Sequence, residues 1–200
     1  MKLGDQTMIN NKINFLKKIH FQIKNPPVII MANEESRSFT SEIIGKFLNT
    51  SERKAPVFEI TSQKSKDINF LIKHSSLPIL IVDDAKEKER IAEIRSLIKK
   101  IPKKGYLVLN FDDETIRELK KEKSVNQLTF GFQEGADFRA TDVKVNGGTN
   151  FKVGYRGNIV PFWLKDISGE ERIYSVLSGA AVGAIFGLNL IEVSQSLKDY

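Results

Sequence analysis

PILIVDDAKEKERIAEIRSLIKKIPKKGYLVLN, residues 78–110, decides the fold. Pro78–Val82 is a short, unbroken apolar run, the pattern of a strand buried on both faces. Lys86–Lys100 is too charged for a core strand and reads as a helix with one solvated face carrying mixed charges. Gly105–Asn110 (GYLVLN) is again a buried strand. Strand, helix and strand in succession predict two parallel neighbours joined by a crossover.

The unit recurs on both sides. Downstream, Asp113–Lys121 reads as a helix and Asn126–Phe130 as a strand. Upstream, Ser65–His74 is a helix with Ile68, Leu71 and Ile72 facing inward, and Pro56–Ile60 a strand. Val28–Ala32 (VIIMA) is a strand followed by a helix near Ser38–Leu48. Ile9, Ile13, Leu16, Ile19 and Ile23 fall at helical spacing, which predicts a first helix over residues 9–24, stopped by Asn25-Pro26-Pro27. Alternating strands and helices predict an α/β fold: a mostly parallel sheet covered on both faces.

The pattern changes after Gly135. Phe138–Val145, Asn150–Tyr155 and Ile159–Leu164 alternate, split by Asn146-Gly147-Gly148 and Arg156-Gly157-Asn158, and so predict a small antiparallel β annex. Helices at Glu170–Phe186 and Leu190–Lys198 close the chain, the second capped by Asn189. The expected organisation is a single domain over residues 9–200: core 9–130, annex 136–165 and closing helices 169–199. Gly179, Gly183 and Gly187 recur every four residues and predict close packing of one helix face on the sheet.

The 200 residues carry 31 basic and 25 acidic side chains, a net charge of +6, and 40% are apolar. That excludes a disordered chain. Cysteine is absent, which excludes disulfides and thiolate metal sites and fits a reducing, cytoplasmic setting. The start has no apolar signal region. Ile173–Leu188, the longest uncharged stretch, is shorter than the roughly 20 residues that span a bilayer, so no membrane span is expected. The basic residues are interspersed with acids and lack interleaved aromatics, which argues against nucleic acid as a partner.

In a sheet of this kind, ligands bind beyond the carboxyl ends of the strands. The first such turn is Asn33-Glu34-Glu35-Ser36-Arg37-Ser38-Phe39-Thr40. A phosphate cradle needs glycines for close backbone approach and a lysine for the terminal oxygens. This turn has neither glycine nor lysine. Arg37, Ser38 and Thr40 are its candidate phosphate contacts. Glu34 and Glu35 oppose them: a carboxylate about 4 Å from a phosphate charge costs up to roughly 4 kcal/mol at an effective dielectric near 20. Asp83 and Asp84, ending the third strand, are a second acidic pair, able to recruit a metal or to start a helix.

These segments together resemble the Mur ligases. Val28–Ile44 (VIIMANEESRSFTSEII) is similar to their apolar strand, G-T-x-G-K-T-T loop and helix. On that match Asn33 and Ser36 stand on glycines, Arg37 on the lysine and Ser38 on the magnesium-binding threonine, which adds Ser36 to the candidate phosphate contacts. Val57–Ile60 (VFEI) resembles the strand with a metal-binding glutamate, which makes Glu59 the metal candidate. Gly105–Glu114 (GYLVLNFDDE) resembles the L-N-x-D-D segment near the nucleotide and puts Asn110 and Asp113 there. Phe130–Tyr155 resembles the FG…AD-x-x-A…G-x-x-F annex of the MurF type, the D-alanyl-D-alanine-adding ligase. Gly169–Leu188 resembles its alanine-rich helix. The resemblance implies a P-loop-like central ATP-binding domain. Its enzymes join a carboxylate to an amine through an acyl phosphate, with ATP and Mg²⁺.

The departures from the family's pattern are as specific as the match. Arg37 keeps the lysine's charge but not its shape. Glu171, Arg172 and Ser175 stand where the family has His, Asn and Asn. A segment carrying a metal-binding His is missing between Val82 and Lys86, and His20 and His74, on helices, do not replace it. Only the short connection Asn49–Ala55 occupies the place of a muramoyl-substrate loop. The family's UDP-binding domain is not expected before residue 9, nor its ligand domain after Tyr200.

Three functions follow as expectations. The first is a Mur-ligase-like domain without catalytic residues or bound cofactor, an interaction or regulatory protein whose partner is a cell-wall ligase or a second copy. The second is a residual ATP-binding or ligase component using Arg37, Ser38, Glu59, Asn110 and Asp113, completed in trans. The third is a basic nucleic-acid-binding domain.

Overall fold

The computed structural model describes residues 15–32, 37–50, 54–59, 65–85, 88–122, 125–165 and 169–198. The elements run α1 (Phe15–Lys24), β1 (Val28–Met31), α2 (Arg37–Thr50), β2 (Val57–Glu59), α3 (Ser65–His74), β3 (Pro78–Val82), α4 (Lys88–Lys100), β4 (Tyr106–Asn110) and α5 (Glu114–Leu119). They continue β5 (Asn126–Gly131), β6 (Phe138–Val145), β7 (Gly148–Tyr155), β8 (Asn158–Lys165), α6 (Glu170–Ile185) and α7 (Leu190–Gln195). A 3₁₀ turn, Lys120–Glu122, extends α5.

All eight strands form one sheet in the order β2-β1-β3-β4-β5-β6-β7-β8. The first six run parallel; β7 and β8 are antiparallel additions. The expected annex is therefore the far end of the main sheet: β6 pairs in parallel with β5 through Phe130–Phe138 and Gly131–Arg139. The chain leaves β1 toward β2 on one side and returns to β3 on the other. That reversal opens a crevice at the carboxyl ends of β1 and β3.

Both faces of the sheet are covered, which is why β1 and β3 are apolar at every position and fully buried. On one face Ile29, Met31, Ile79, Ile81 and Val108 meet α2, α6 and α7. On the other, Val28, Ile30, Leu80, Val82, Leu107 and Leu109 meet α3, α4 and α5. Helix α1 borders this second layer through Phe21, whose ring lies 6.1 Å from that of Phe70. None of its residues is buried. The apolar spacing that predicted the helix thus marks a face turned outward, and its expected first turns, residues 9–14, lie outside the described residues.

The sheet ends in β2 on one side and in β8 on the other. Pro161 sits midway along β8 opposite Lys152, and its carbonyl accepts a 2.7 Å bond from the Ser194 hydroxyl of α7. Asn189 caps α7 as expected: its side chain accepts from Ile191 and Glu192 N–H while Glu192 accepts from the Asn189 N–H.

The glycine series on α6 packs on helices and not, as the spacing alone suggested, on the sheet. A Cβ on Gly179 would lie 2.8 Å from Ile43 and 2.9 Å from Phe47, both in α2. A Cβ on Gly183 would meet Val193 of α7 at 3.3 Å. Gly187 (φ 89°) ends the helix in the left-handed conformation, with Leu188 N–H bonded to the Gly183 carbonyl. The sheet requires a side chain every other residue from its own strands; it is α2 that needs the gap. Gly179→Val places a branched side chain against Ile43 and Phe47, and is expected to lower the unfolding free energy by about 3 kcal/mol in urea titrations.

Candidate functional site

The carboxyl edge at β1, β3 and β4 is where the family resemblance places its nucleotide. Asn110, the last residue of β4, is buried. Its amide donates to the Asp83 carbonyl at 2.9 Å and to Asp83 Oδ1 at 3.3 Å, tying β4 to the end of β3. Its Oδ1 accepts from the Asp112 N–H at 2.9 Å and shapes the turn that follows. The amide is thus used on both sides.

Asp112 is the centre of the local network. Its carboxylate accepts from the N–H groups of Phe132 (2.7 Å) and Gln133 (2.9 Å) and from the Tyr174 hydroxyl (2.9 Å). One side chain after β4 therefore holds the turn leaving β5 and the second turn of α6. Gly131 leaves room for it: a Cβ there would sit 2.6 Å from Asp112 Oδ1. Tyr174 also packs edge-on to Phe132, with ring centroids 5.1 Å apart. Burial, then the bond to Asp112, raises the phenol pKa well above 10.0.

Asp113 faces the other way. It is the N-cap of α5, accepting from the Ile116 N–H at 3.0 Å. Just beyond, Asp137 accepts from both the N–H and the hydroxyl of Thr129 at 2.7 Å. Arg139 Nε donates to the Phe132 carbonyl at 3.0 Å.

At the start of α2, Thr40 is buried, and its hydroxyl donates to Ser175 Oγ at 2.9 Å. Ser175 in turn donates to the Glu171 carbonyl at 2.9 Å. Arg172 lies over the Phe39 ring, 4.3 Å from its centroid. Of the residues standing where the family has His, Asn and Asn, Arg172 and Ser175 thus knit α6 to α2. Arg37 opens α2, followed by Ser38, and Glu59 ends β2 in register with Met31. The side chains of Arg37, Ser38 and Glu59, and the whole of Ser36, lie outside the described residues. His74 stacks on Phe70 at 4.6 Å, and His20 is exposed.

Sequence reasoning placed Asp112 only within the L-N-x-D-D segment near the nucleotide and did not single out Tyr174 or Arg90. Arg90, in the first turn of α4, donates Nη1 to Glu93 at 2.8 Å, while Nε and Nη2 are buried without an acceptor among the described residues. A tyrosine five residues after Gly169 carried no motif that could have flagged it.

The Mur ligase middle domain family matches residues 82–183, from the end of β3 through most of α6. The chain belongs to that family. The match takes in Asp83, Asn110, Asp112 and Tyr174; residues 33–40 and Glu59 lie before it. Among curated relatives, the UDP-N-acetylmuramate–L-alanine ligase of Dictyoglomus turgidum is 32% identical over 122 residues, 60% of this chain and 26% of that enzyme. That of Alkaliphilus metalliredigens is 26% identical over 116 residues, 55% and 25% of the two chains. Among solved structures, MurF from Acinetobacter baumannii superposes with a TM-score of 0.74 at 15% identity, over 90% of this chain and 48% of that one. MurF from Thermotoga maritima, solved with ADP, gives 0.71 at 16% identity, over 88% and 50%. The chain spans about a quarter of the curated relatives' length and about half of the solved ligases'.

The Mur ligase resemblance implies ATP and Mg²⁺; of its candidate residues, Ser36 and the side chains of Arg37, Ser38 and Glu59 lie outside the described residues. Thr40, Asn110 and Asp113 are each committed to an internal bond. No three His, Asp or Glu side chains converge on a metal position among the described residues.

The two aspartates of the Mur ligase L-N-x-D-D segment should separate in stability measurements. Asp112→Ala strands two N–H groups and a phenol and is expected to cost about 3 kcal/mol. Asp113→Ala loses one cap, at about 1 kcal/mol. Equal losses in denaturant titrations would contradict the hub. Tyr174 gives a pH signature. Its pKa is raised in the fold, so its contribution is complete below 10.0 and drains away as pH rises, while the unfolded chain's phenol ionises and the folded one holds its proton. Tyr174→Phe is expected to lose stability less steeply than the parent above that pH.

Proposed function

We propose that this Mur ligase middle domain has no turnover of its own and serves as an interaction or regulatory protein beside the peptidoglycan-precursor ligases to which it is related. The observation that supports this reading is the commitment of the polar groups at the nucleotide edge. Thr40 is spent on α6, Asn110 on β3, Asp112 on β5 and α6, and Asp113 on α5. A triphosphate would have to displace these bonds or rely on a crossover that carries two glutamates and no glycine. An Asn in place of a glycine removes the close approach, and an Arg in place of the lysine exchanges a compact ammonium for a planar guanidinium of the same charge. Its expected partner is a cell-wall ligase or a second copy of the chain.

Thermal denaturation with Mg·ATP tests this. A ligand at ~100-fold its Kd stabilises by ~2.7 kcal/mol, or ~5 °C or more for a chain of this size. We expect no shift at millimolar Mg·ATP and no phosphate release. A shift that Arg37→Ala abolishes would overturn the proposal in favour of a residual nucleotide site, completed by domains supplied in trans.

A further inference from the structure

Helix α1 stands on the domain by one side and shows an apolar face away from it. Lys18 is paired with Asp67 of α3 at 2.8 Å and lies 5.5 Å over the Phe70 ring, and Phe21 packs beside Phe70. Phe15, Leu16, Ile19 and Ile23 fall within an arc of about 100° on the opposite side. They are 76%, 74%, 40% and 78% exposed.

The arc borders a surface that the fold makes basic. Helices α1, α3 and α4 each end where the next strand begins, so their last turns gather along the amino edge of β1, β3 and β4. Hydrogen bonds join the three connections. The Pro26 carbonyl accepts from the Ser75 hydroxyl at 2.9 Å and from the Ser76 N–H at 3.2 Å. Lys104 Nζ donates to the Ser75 carbonyl at 2.7 Å. On this edge Lys24, Lys73, Lys99, Lys100, Lys103 and Lys104 are exposed. No Asp or Glu occurs in residues 6–33, 68–82 or 94–111. Lysines at helix carboxyl ends are favoured singly by the peptide dipoles. Here the joined connections sum them into one surface, although the lysines are scattered along the sequence.

We infer that α1 and this edge form a docking surface for an anionic lipid bilayer: the Phe15, Leu16, Ile19 and Ile23 arc enters the headgroup boundary and the lysine edge meets the lipid phosphates. A helix with a continuous apolar arc and lysines as its only charges is the form that lies in a membrane interface. Each lysine near an anionic leaflet adds attraction. A second copy seated on the same face would set two lysine edges against each other. Nucleic acid would satisfy the lysines and leave the arc in water.

Sedimentation with vesicles tests this on the full chain. The probe is phosphatidylcholine vesicles with and without 30% phosphatidylglycerol, at low and high salt. The expected result is at least tenfold stronger binding to the anionic vesicles, lost at high salt. A double variant, Leu16→Glu with Ile23→Glu, should lose at least tenfold in binding with an unchanged melting temperature, because neither residue packs on the domain. Lys24→Glu with Lys73→Glu and Lys103→Glu should do the same. Absence of binding to anionic vesicles overturns the proposal. So does binding that survives the Leu16→Glu and Ile23→Glu changes, or a dimer in light scattering that those changes dissolve without any vesicle binding. Duplex DNA bound as tightly as the anionic vesicles, and equally by the glutamate double variant, would also overturn it.

Discussion

Three donors from two distant segments converge on the carboxylate of Asp112. Strand β5 is laddered to β4 as far as Asn110 and Phe130, but without Asp112 the turn beyond it and the helix α6 would meet the end of β4 mainly through apolar contact, which fixes distance poorly and direction hardly at all. The carboxylate fixes both. Gly131 keeps the space open, and Tyr174 brings a helix formed sixty residues later back to the centre of the sheet. The bonds are charge-assisted and half-sheltered, a setting in which such bonds are strong.

The same economy runs through the rest of the carboxyl edge. In an open parallel sheet that edge is where strands expose unpaired ends, and a ligand usually finds its polar partners there. In this chain the edge residues satisfy one another. Asn110 closes the gap between β3 and β4, Asp113 starts α5, and Thr40 joins α2 to α6. The family's architecture is thus retained, and the described polar side chains at this edge bond to one another.

Much of this was readable in advance. The βα order, the hairpins and the α7 cap follow from apolar runs and turn residues, because those are local signals. What escaped was relational. The apolar spacing of α1 announced a helix but not that its oily side faces water, since periodicity carries no information about which side finds a neighbour. The α6 glycines announced close approach but not to what. Asp112 and Asp113 are adjacent and chemically identical; only the fold shows that one caps a helix and the other clasps three elements. Thr40 and Ser175, 135 positions apart, meet for reasons no short motif encodes. Ser36 and Glu59 rest on the resemblance, Arg37 and Ser38 on it and on their place in the first crossover turn, and the family match begins after all four.

The sheet ends in an open strand, and Pro161 governs what that end can do. Its carbonyl points away from β7, toward Ser194, and the nitrogen of the same residue points the same way. The missing hydrogen therefore costs the β7–β8 ladder nothing and is felt only by an intruder. Another molecule trying to continue the sheet would meet one position with no donor and an acceptor already taken, midway along its register. The β8 edge thereby carries its own terminator against the addition of a further strand.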